Sequence, residues 1–410
     1  MTAQTRTVRS LADAEFLGWR STQAVFFALG TTGIVRVVGG SVRNALLGEP
    51  VTDIDLATVL PPQEVIKRAE AAGLKAVPTG LDHGTVTVVA FGRPFEVTTL
   101  RADVETDGRH AVVRFTTDWA EDAARRDFTM NALYCDHDGE LFDPLGGYDD
   151  LVARQIRFIG DAEDRIREDY LRILRFFRFF AWYGHGRPDA EGLKASARLK
   201  GGIATLSAER IWAEMKRLMG APDPTRAMLW MRTTEVLQRA LPESWGIDAL
   251  HGMVEAEKAE GWIADPLLRL ESILPPHRAR IDALAQRLRL SRGEQERLLD
   301  WADAETAAPD LSEAELARQL YGTSRNGVVD RLKLALASER AKGNEASVEG
   351  FRRQLNTAED WQKPVFPVTG KDLLARGVKP GPEMGERLRE MERRWIDSEF
   401  TLDRDTLLGA

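Results

Sequence analysis

The stretch IVRVVGGSVRNALLGEPVTDIDLAT, residues 34–58, decides how the rest of the chain is read. Its apolar, β-branched start (Ile34 to Val38) predicts a strand that ends at Gly39-Gly40. A short helix follows, with Ser41 placed to cap it and Gly48 to end it. A second strand then carries Asp53 and Asp55, and residues two apart on a strand project from the same face. Two carboxylates side by side repel each other and need a cation between them. Hard oxygen ligands suit Mg²⁺, with phosphate oxygens completing its shell. A glycine turn opening a helix lets backbone N–H groups approach a phosphate chain. Cation site and phosphate cradle in one short unit point to a nucleoside triphosphate.

Each half is weak alone: Asp-x-Asp is common on solvated strand ends, and Gly-Gly is usually only a turn. Together, Gly40-Ser41, an eleven-residue spacer and Asp53-Ile54-Asp55 are far more specific. The combination resembles the signature of the polymerase-β-like nucleotidyltransferase superfamily. GGSVRNALLG is similar to its class II branch of tRNA nucleotidyltransferases and bacterial poly(A) polymerases. The resemblance implies an α+β protein: a polymerase-β-like head, with a mixed sheet and helices, then an all-α neck, body and tail. It divides the chain into head 1–149, neck 150–220, body 221–356 and tail 357–410. It also implies that Asp53 and Asp55 bind Mg²⁺ and that Gly39, Gly40, Ser41 and Arg43 hold the triphosphate. One departure stands out. Asn44 follows Arg43 where the family usually has aspartate, keeping the size and losing the charge.

The whole chain sets wider bounds. At 410 residues it can bury a large core and hold two to four domains. The single cysteine, Cys135, excludes an internal disulfide framework and a cysteine zinc cluster. No run approaches the length of a membrane span and no apolar signal core opens the chain, so a cytoplasmic protein is expected. The net charge of −8 argues weakly against a nucleic-acid partner. Yet Leu151 to Gly220 holds 14 Lys/Arg against 9 Asp/Glu, which is compatible with an RNA-facing surface or a solvated helical face.

Taken in order, residues 11–29 have helical periodicity, and a helix opens at Pro61-Pro62 and closes at Gly73. A hairpin is predicted from Thr85–Phe91 and Pro94–Leu100. Glu96 lies opposite Phe95 and Val97 in its second strand, so it is either a third acid near the aspartate pair or an exposed strand glutamate. Asp103 to Phe115, centred on Asp107-Gly108, reads as a long mobile hairpin or loop; class II enzymes carry a flexible loop here that assists the change from adding C to adding A. Next, ARRDFTMNAL resembles the family motif that holds the sugar of the incoming nucleotide. Arg126 suits triphosphate oxygens, while Asp127 and Asn131 suit ribose hydroxyls. A helix C-terminus with dipole-matched arginines is the other account. The turn formers of DPLGGYDDL (Asp143 to Leu151) suggest a structural link, and IRFIG (Ile156 to Gly160) reads as a strand.

From Asp161 the sequence DAEDRIREDYLRILRFFRFFAWYG predicts one long helix, with Asp169 and Arg172 neighbours on one edge. They could be an ordinary surface ion pair. They could also read a base. Cytosine and adenine both offer an amino donor beside an unprotonated ring nitrogen, matched by a carboxylate and a guanidinium. Uracil and guanine reverse both and leave buried groups unpaired. EDYLR matches the EDxxR element of class II CCA-adding enzymes, from which bacterial poly(A) polymerases depart. Arg175, one turn on, joins this nucleotide-binding set.

Beyond residue 220 the chain reads as helical. Glu209-Arg210-Ile211 resembles a weaker family motif or is simply a helix start. Phe366 to Trp395 resembles the family tail, where Lys371, Lys379 or Arg387 either meet tRNA phosphates or pack on the body. The resemblance implies a CCA-adding enzyme that uses CTP and ATP and holds the acceptor and TΨC arms of tRNA. The alternatives are a poly(A) polymerase, a partial CC- or A-adding enzyme, and a catalytically silent RNA-binding protein. No protein partner is inferred.

Overall fold

The computed structural model describes residues 10–107, 110–306 and 308–409, and between 103 and 113 the backbone alone. The chain divides into two compact units, Met1–Ala240 and Leu241–Ala410. In the first, helices α1 (Glu15–Gly18) and α2 (Arg20–Leu29) share the stretch predicted as one helix, because Trp19 between them is extended.

A seven-stranded mixed sheet follows. Its strands are β1 (Val35–Val38), β2 (Asp55–Thr58), β3 (Lys75–Gly80), β4 (Thr85–Ala90) and β5 (Arg93–Thr99), with β8 (Tyr134–Cys135) and β9 (Leu141–Phe142) added later in the chain. The spatial order is β3-β4-β5-β2-β1-β8-β9. Among the described residues only β2 and β5 run parallel, and their register sets Asp55 opposite Glu96. β1 is buried along its length, its three valines in the core and Arg36 paired with Asp136 at 2.9 Å. β5 alternates, with Phe95 and Val97 fully buried and Glu96 on the other face. Helix α3 (Gly40–Leu47) connects β1 to β2, and α4 (Pro62–Ala71) lies between the prolines and glycine that predicted it.

Strands β6 (Arg101–Asp107) and β7 (His110–Phe115) form a separate hairpin. Gly108, at the centre of the predicted loop, lies outside the described residues. Helices α5 (Trp119–Ala124) and α6 (Gly147–Val152) flank a single 3₁₀ turn at Thr129–Asn131. The predicted strand at Ile156–Gly160 is reduced to one bridge, Phe128 to Phe158.

The long helix expected from Asp161 is two helices, α7 (Ala162–Glu168) and α8 (Leu171–Tyr183). Asp169 between them is extended, with φ −156° and ψ 106°. Its side chain accepts from the Leu171 N–H at 3.1 Å, so the residue expected inside a helix caps the start of the second one. Rings on the buried face of α8 grip the preceding turn: Phe128 lies 5.1 Å from Phe179 and 4.9 Å from Phe158, which stacks on Phe176. Helices α9 (Ala190–Leu199) and α10 (Ala208–Met219) follow.

The second unit is helical from Asp248 to Leu408. One cluster packs Leu316, Leu336, Val348 and Phe351; another gathers Val368, Trp395 and Leu407 around Tyr321. Arg269 and Glu257 form a buried bidentate pair. A 510 Å³ apolar cavity here is lined by Met253, Leu274, Trp301 and Leu334, together with Glu271. No helix among the described residues is long and apolar enough to cross a membrane.

Candidate active site

The glycine pair makes the turn that the opening stretch predicts. Gly39 has φ +69°, a conformation that favours glycine, and α3 starts at Gly40. Ser41 therefore lies inside the first turn and does not cap it. Its buried hydroxyl donates to the Asp53 carbonyl at 2.8 Å, tying the glycine turn to the segment that leads into β2. Gly48 ends the helix in the left-handed conformation, as expected.

Asp53 precedes β2 and Asp55 begins it, with Ile54 between them in the core. Desolvation, and next the facing Glu96, hold the Asp55 carboxyl above its usual range; Arg126 pulls it back and Asp53 pushes it further up. Glu96 is an exposed strand glutamate, as one expectation had it, and it also stands opposite Asp55 in the register of β2 and β5. Among the described residues no three such side chains close into a metal site unaided. Crowded carboxylates on a cleft floor fit a divalent cation that also takes oxygens from a substrate.

Asp55 and Glu96 line a 640 Å³ cavity together with Gly39 and Gly40. Arg126, Asp127 and Asn131 enter from the turn after α5, Asp169 from the α7–α8 break, and Arg172 and Arg175 from the first two turns of α8. Arg43 lines it too, whereas Ser41 and Asp53 are not among the lining residues. Seven arginines against four carboxylates line the space, an excess of three positive charges suited to a triphosphate.

Each charged group has fixed partners. Arg126 donates to Asp122 at 3.1 Å and to the Tyr134 hydroxyl at 3.2 Å. Against desolvation, Tyr134 and Asp122 hold its guanidinium above the usual range. Asp127 accepts from Arg175 at 2.5 and 2.8 Å, from Asn131 at 2.9 Å and from the Phe128 N–H. Against desolvation, Arg175 and the Asn131 amide hold its carboxyl below the usual range. The link DPLGG acts from behind. Gly147 packs so closely that a Cβ there would sit 2.1 Å from the Thr129 carbonyl oxygen, and Asp150 holds the Thr129 hydroxyl at 2.7 Å.

Asp169 and Arg172 share the cavity without pairing to each other, contrary to the simple helix-edge expectation. Asp169 is held by Arg210 of α10 at 2.6 Å. Arg172 is held by Glu168 at 2.5 Å and by the Arg165 and Arg125 carbonyls. Glu168 and Arg210 were missed as site residues, although both stand in motifs that the sequence displays. Arg101 and Arg125 also line the cavity and were missed.

Two family models match the chain: Poly A polymerase head domain over residues 35–157, and Probable RNA and SrmB-binding site of polymerase A over residues 188–246. Mitochondrial CCA tRNA nucleotidyltransferase 1 of Mus musculus is 34% identical over 385 residues, covering 92% of this chain and 86% of the relative. A CCA-adding enzyme of Streptococcus pneumoniae is 30% identical over 383 residues, covering 90% and 91%. The crystal structure of the Bacillus stearothermophilus CCA-adding enzyme in complex with CTP superposes with a TM-score of 0.67 at 29% identity, covering 95% of this chain and 93% of that one.

Proposed function

The chain belongs to the CCA-adding tRNA nucleotidyltransferases, and from that premise we propose that it adds or repairs the 3′-terminal CCA of tRNA. CMP and AMP pass from CTP and ATP to the tRNA 3′-hydroxyl, and pyrophosphate leaves. One observation carries the reading: a carboxylate and a guanidinium suited to cytosine and adenine, Asp169 and Arg172, face the same cavity as the acidic wall of Asp55 and Glu96.

In this reading the Gly39-Gly40 turn and the first amides of α3 receive phosphate oxygens, supported by Arg126. Asp127 and Asn131 take the ribose hydroxyls, with Arg175 fixing the carboxylate. Asp169 keeps spare lone pairs for an exocyclic amino group after bonding Arg210 and Leu171. Arg172 has spent three of its five N–H donors and keeps Nε and one Nη2 hydrogen for a ring nitrogen. Enzymes of this family use a divalent metal, and Mg²⁺ is the ion we propose for Asp53 and Asp55, with Glu96 beside them. When bound it supplies charge compensation for the triphosphate and lowers the pKa of the attacking hydroxyl.

Residues 1–149 would then be the catalytic head and 150–220 the base-reading neck, with body 221–356 and tail 357–410 holding the acceptor and TΨC arms by phosphate and shape. The cytoplasm is the proposed compartment, in keeping with a lone buried, unpaired cysteine.

Transcripts ending before CCA and ending in CC, each given single nucleotides and Mg²⁺, test the reading. Two C on the first, one A on the second and then arrest are expected. Long A tails on arbitrary RNA would mean a poly(A) polymerase, and transfer of only C or only A a divided activity. Bound tRNA without transfer would mean a silent binder.

A further inference from the structure

Arg43 is buried, at 8% exposure, yet among the described residues its side chain donates only to neutral acceptors. Nη1 donates to Asn131 Oδ1 at 2.7 Å, and Nη2 to the Tyr183 hydroxyl at 2.8 Å and Asn44 Oδ1 at 2.9 Å. Nε also donates to Asn44 Oδ1, at 3.2 Å, and the Tyr183 ring lies 4.1 Å from the cationic carbon. The residue that sequence assigns to the triphosphate is clamped from three sides.

The clamp settles the orientation of Asn131. A guanidinium can only donate, so Arg43 holds the amide oxygen on its own side and turns the NH₂ toward Asp127 Oδ1, 2.9 Å away. Asp127 Oδ2 is committed to Arg175, so the two side chains assigned to the sugar present one fixed set of donors and acceptors.

Asn44 and Tyr183 complete the clamp from α3 and from the last residue of α8. The Asn44 amide accepts from Arg43 and donates to the Pro50 carbonyl at 3.0 Å. A carboxylate at position 44 would have no proton for that carbonyl. The departure from the family pattern therefore has a local reason.

We propose that Tyr183, together with Asn44, is a positioning residue for sugar selectivity, acting on the ribose through Arg43 and Asn131. The proposal rests on the ribose role given above to Asp127 and Asn131. Tyr183 touches no substrate in this scheme; its hydroxyl keeps Arg43, and so Asn131, in a single arrangement.

Tyr183→Phe removes the hydroxyl and keeps the ring against Arg43. With a tRNA transcript lacking CCA, the ratio of kcat/KM for CTP over dCTP should fall roughly three- to tenfold, the effect of one ordinary hydrogen bond. The ratio for CTP over UTP should stay constant, because Asp169 and Arg172 are untouched. Asn44→Ala loosens Arg43 from the other side and should lower the same ratio, which keeps the test open if Tyr183→Phe does not fold. Unchanged sugar ratios in both variants, or an equal loss with every nucleotide, would overturn the proposal. Wild-type protein that adds no C or A to tRNA would instead overturn the proposed function.

Discussion

Asp127 in the cleft and Glu271 in the helical unit are both buried, at 9% and 1% exposure, and their carboxyls are pushed in opposite directions. Asp127 accepts from Arg175, Asn131 and a backbone N–H, and is held below the usual range. Among the described residues neither oxygen of Glu271 has a hydrogen-bond partner; burial, and next Asp330, hold its carboxyl well above that range. Burial alone therefore says nothing about role. The satisfied carboxylate sits where a polar cavity gathers arginines, and the orphaned one lines an apolar cavity.

The contrast predicts that chemistry is lost from one region and stability adjusted from the other. Asp55→Asn should lower nucleotide transfer by at least about a thousandfold, since a carboxylate of the acidic wall is gone. Gel-shift affinity for tRNA should not change; retained turnover would remove Asp55 from the chemistry. Arg172→Ala should lower the preference for CTP over UTP by about a hundredfold, because the donors to the ring nitrogen are lost. Competition between the two nucleotides in one reaction reads this directly, and an intact preference would sink base reading by the protein.

The smallest effect belongs to the helical unit. Glu271→Met should leave transfer unchanged and raise stability at pH 8 by about 1–3 kcal/mol, the cost of an unsatisfied buried polar group. The sign follows from the raised carboxyl. Below its ordinary value of 4.5 both folded and unfolded chains carry the proton. As pH rises toward the folded value only the unfolded chain ionises, so wild-type stability falls, and beyond it the loss stays constant. Urea titrations at pH 4.5 and 8 should show a wider gap at the higher pH. Asp127 works the other way: its contribution is present above its ordinary value of 3.8 and is lost as pH falls through the folded value.

Local rules made the head legible. Glycine conformation, strand alternation and Asp-x-Asp spacing located the turn, the acids and the parity that puts Glu96 on their side. What they missed comes from contacts remote in sequence. Glu168-Asp169-Tyr170 contains no glycine or proline, and the helix breaks where Asp169 caps α8 and meets Arg210, 41 positions away. Arg43, expected at the triphosphate, also meets side chains 88 and 140 positions distant, which no local rule displays. Ser41 failed as a cap because α3 starts two residues earlier than a cap at Ser41 requires.

Gly147 carries a consequence for inherited variation. Every missense change at this codon puts a carbon where the Thr129 carbonyl oxygen already lies. The turn bearing Asp127 and Asn131 must then shift, so such alleles should behave as loss of function. Scoring variants by nearness to the reacting atoms would file them as benign linker changes. In a population survey codon 147 should be as empty as the codons for Asp53 and Asp55.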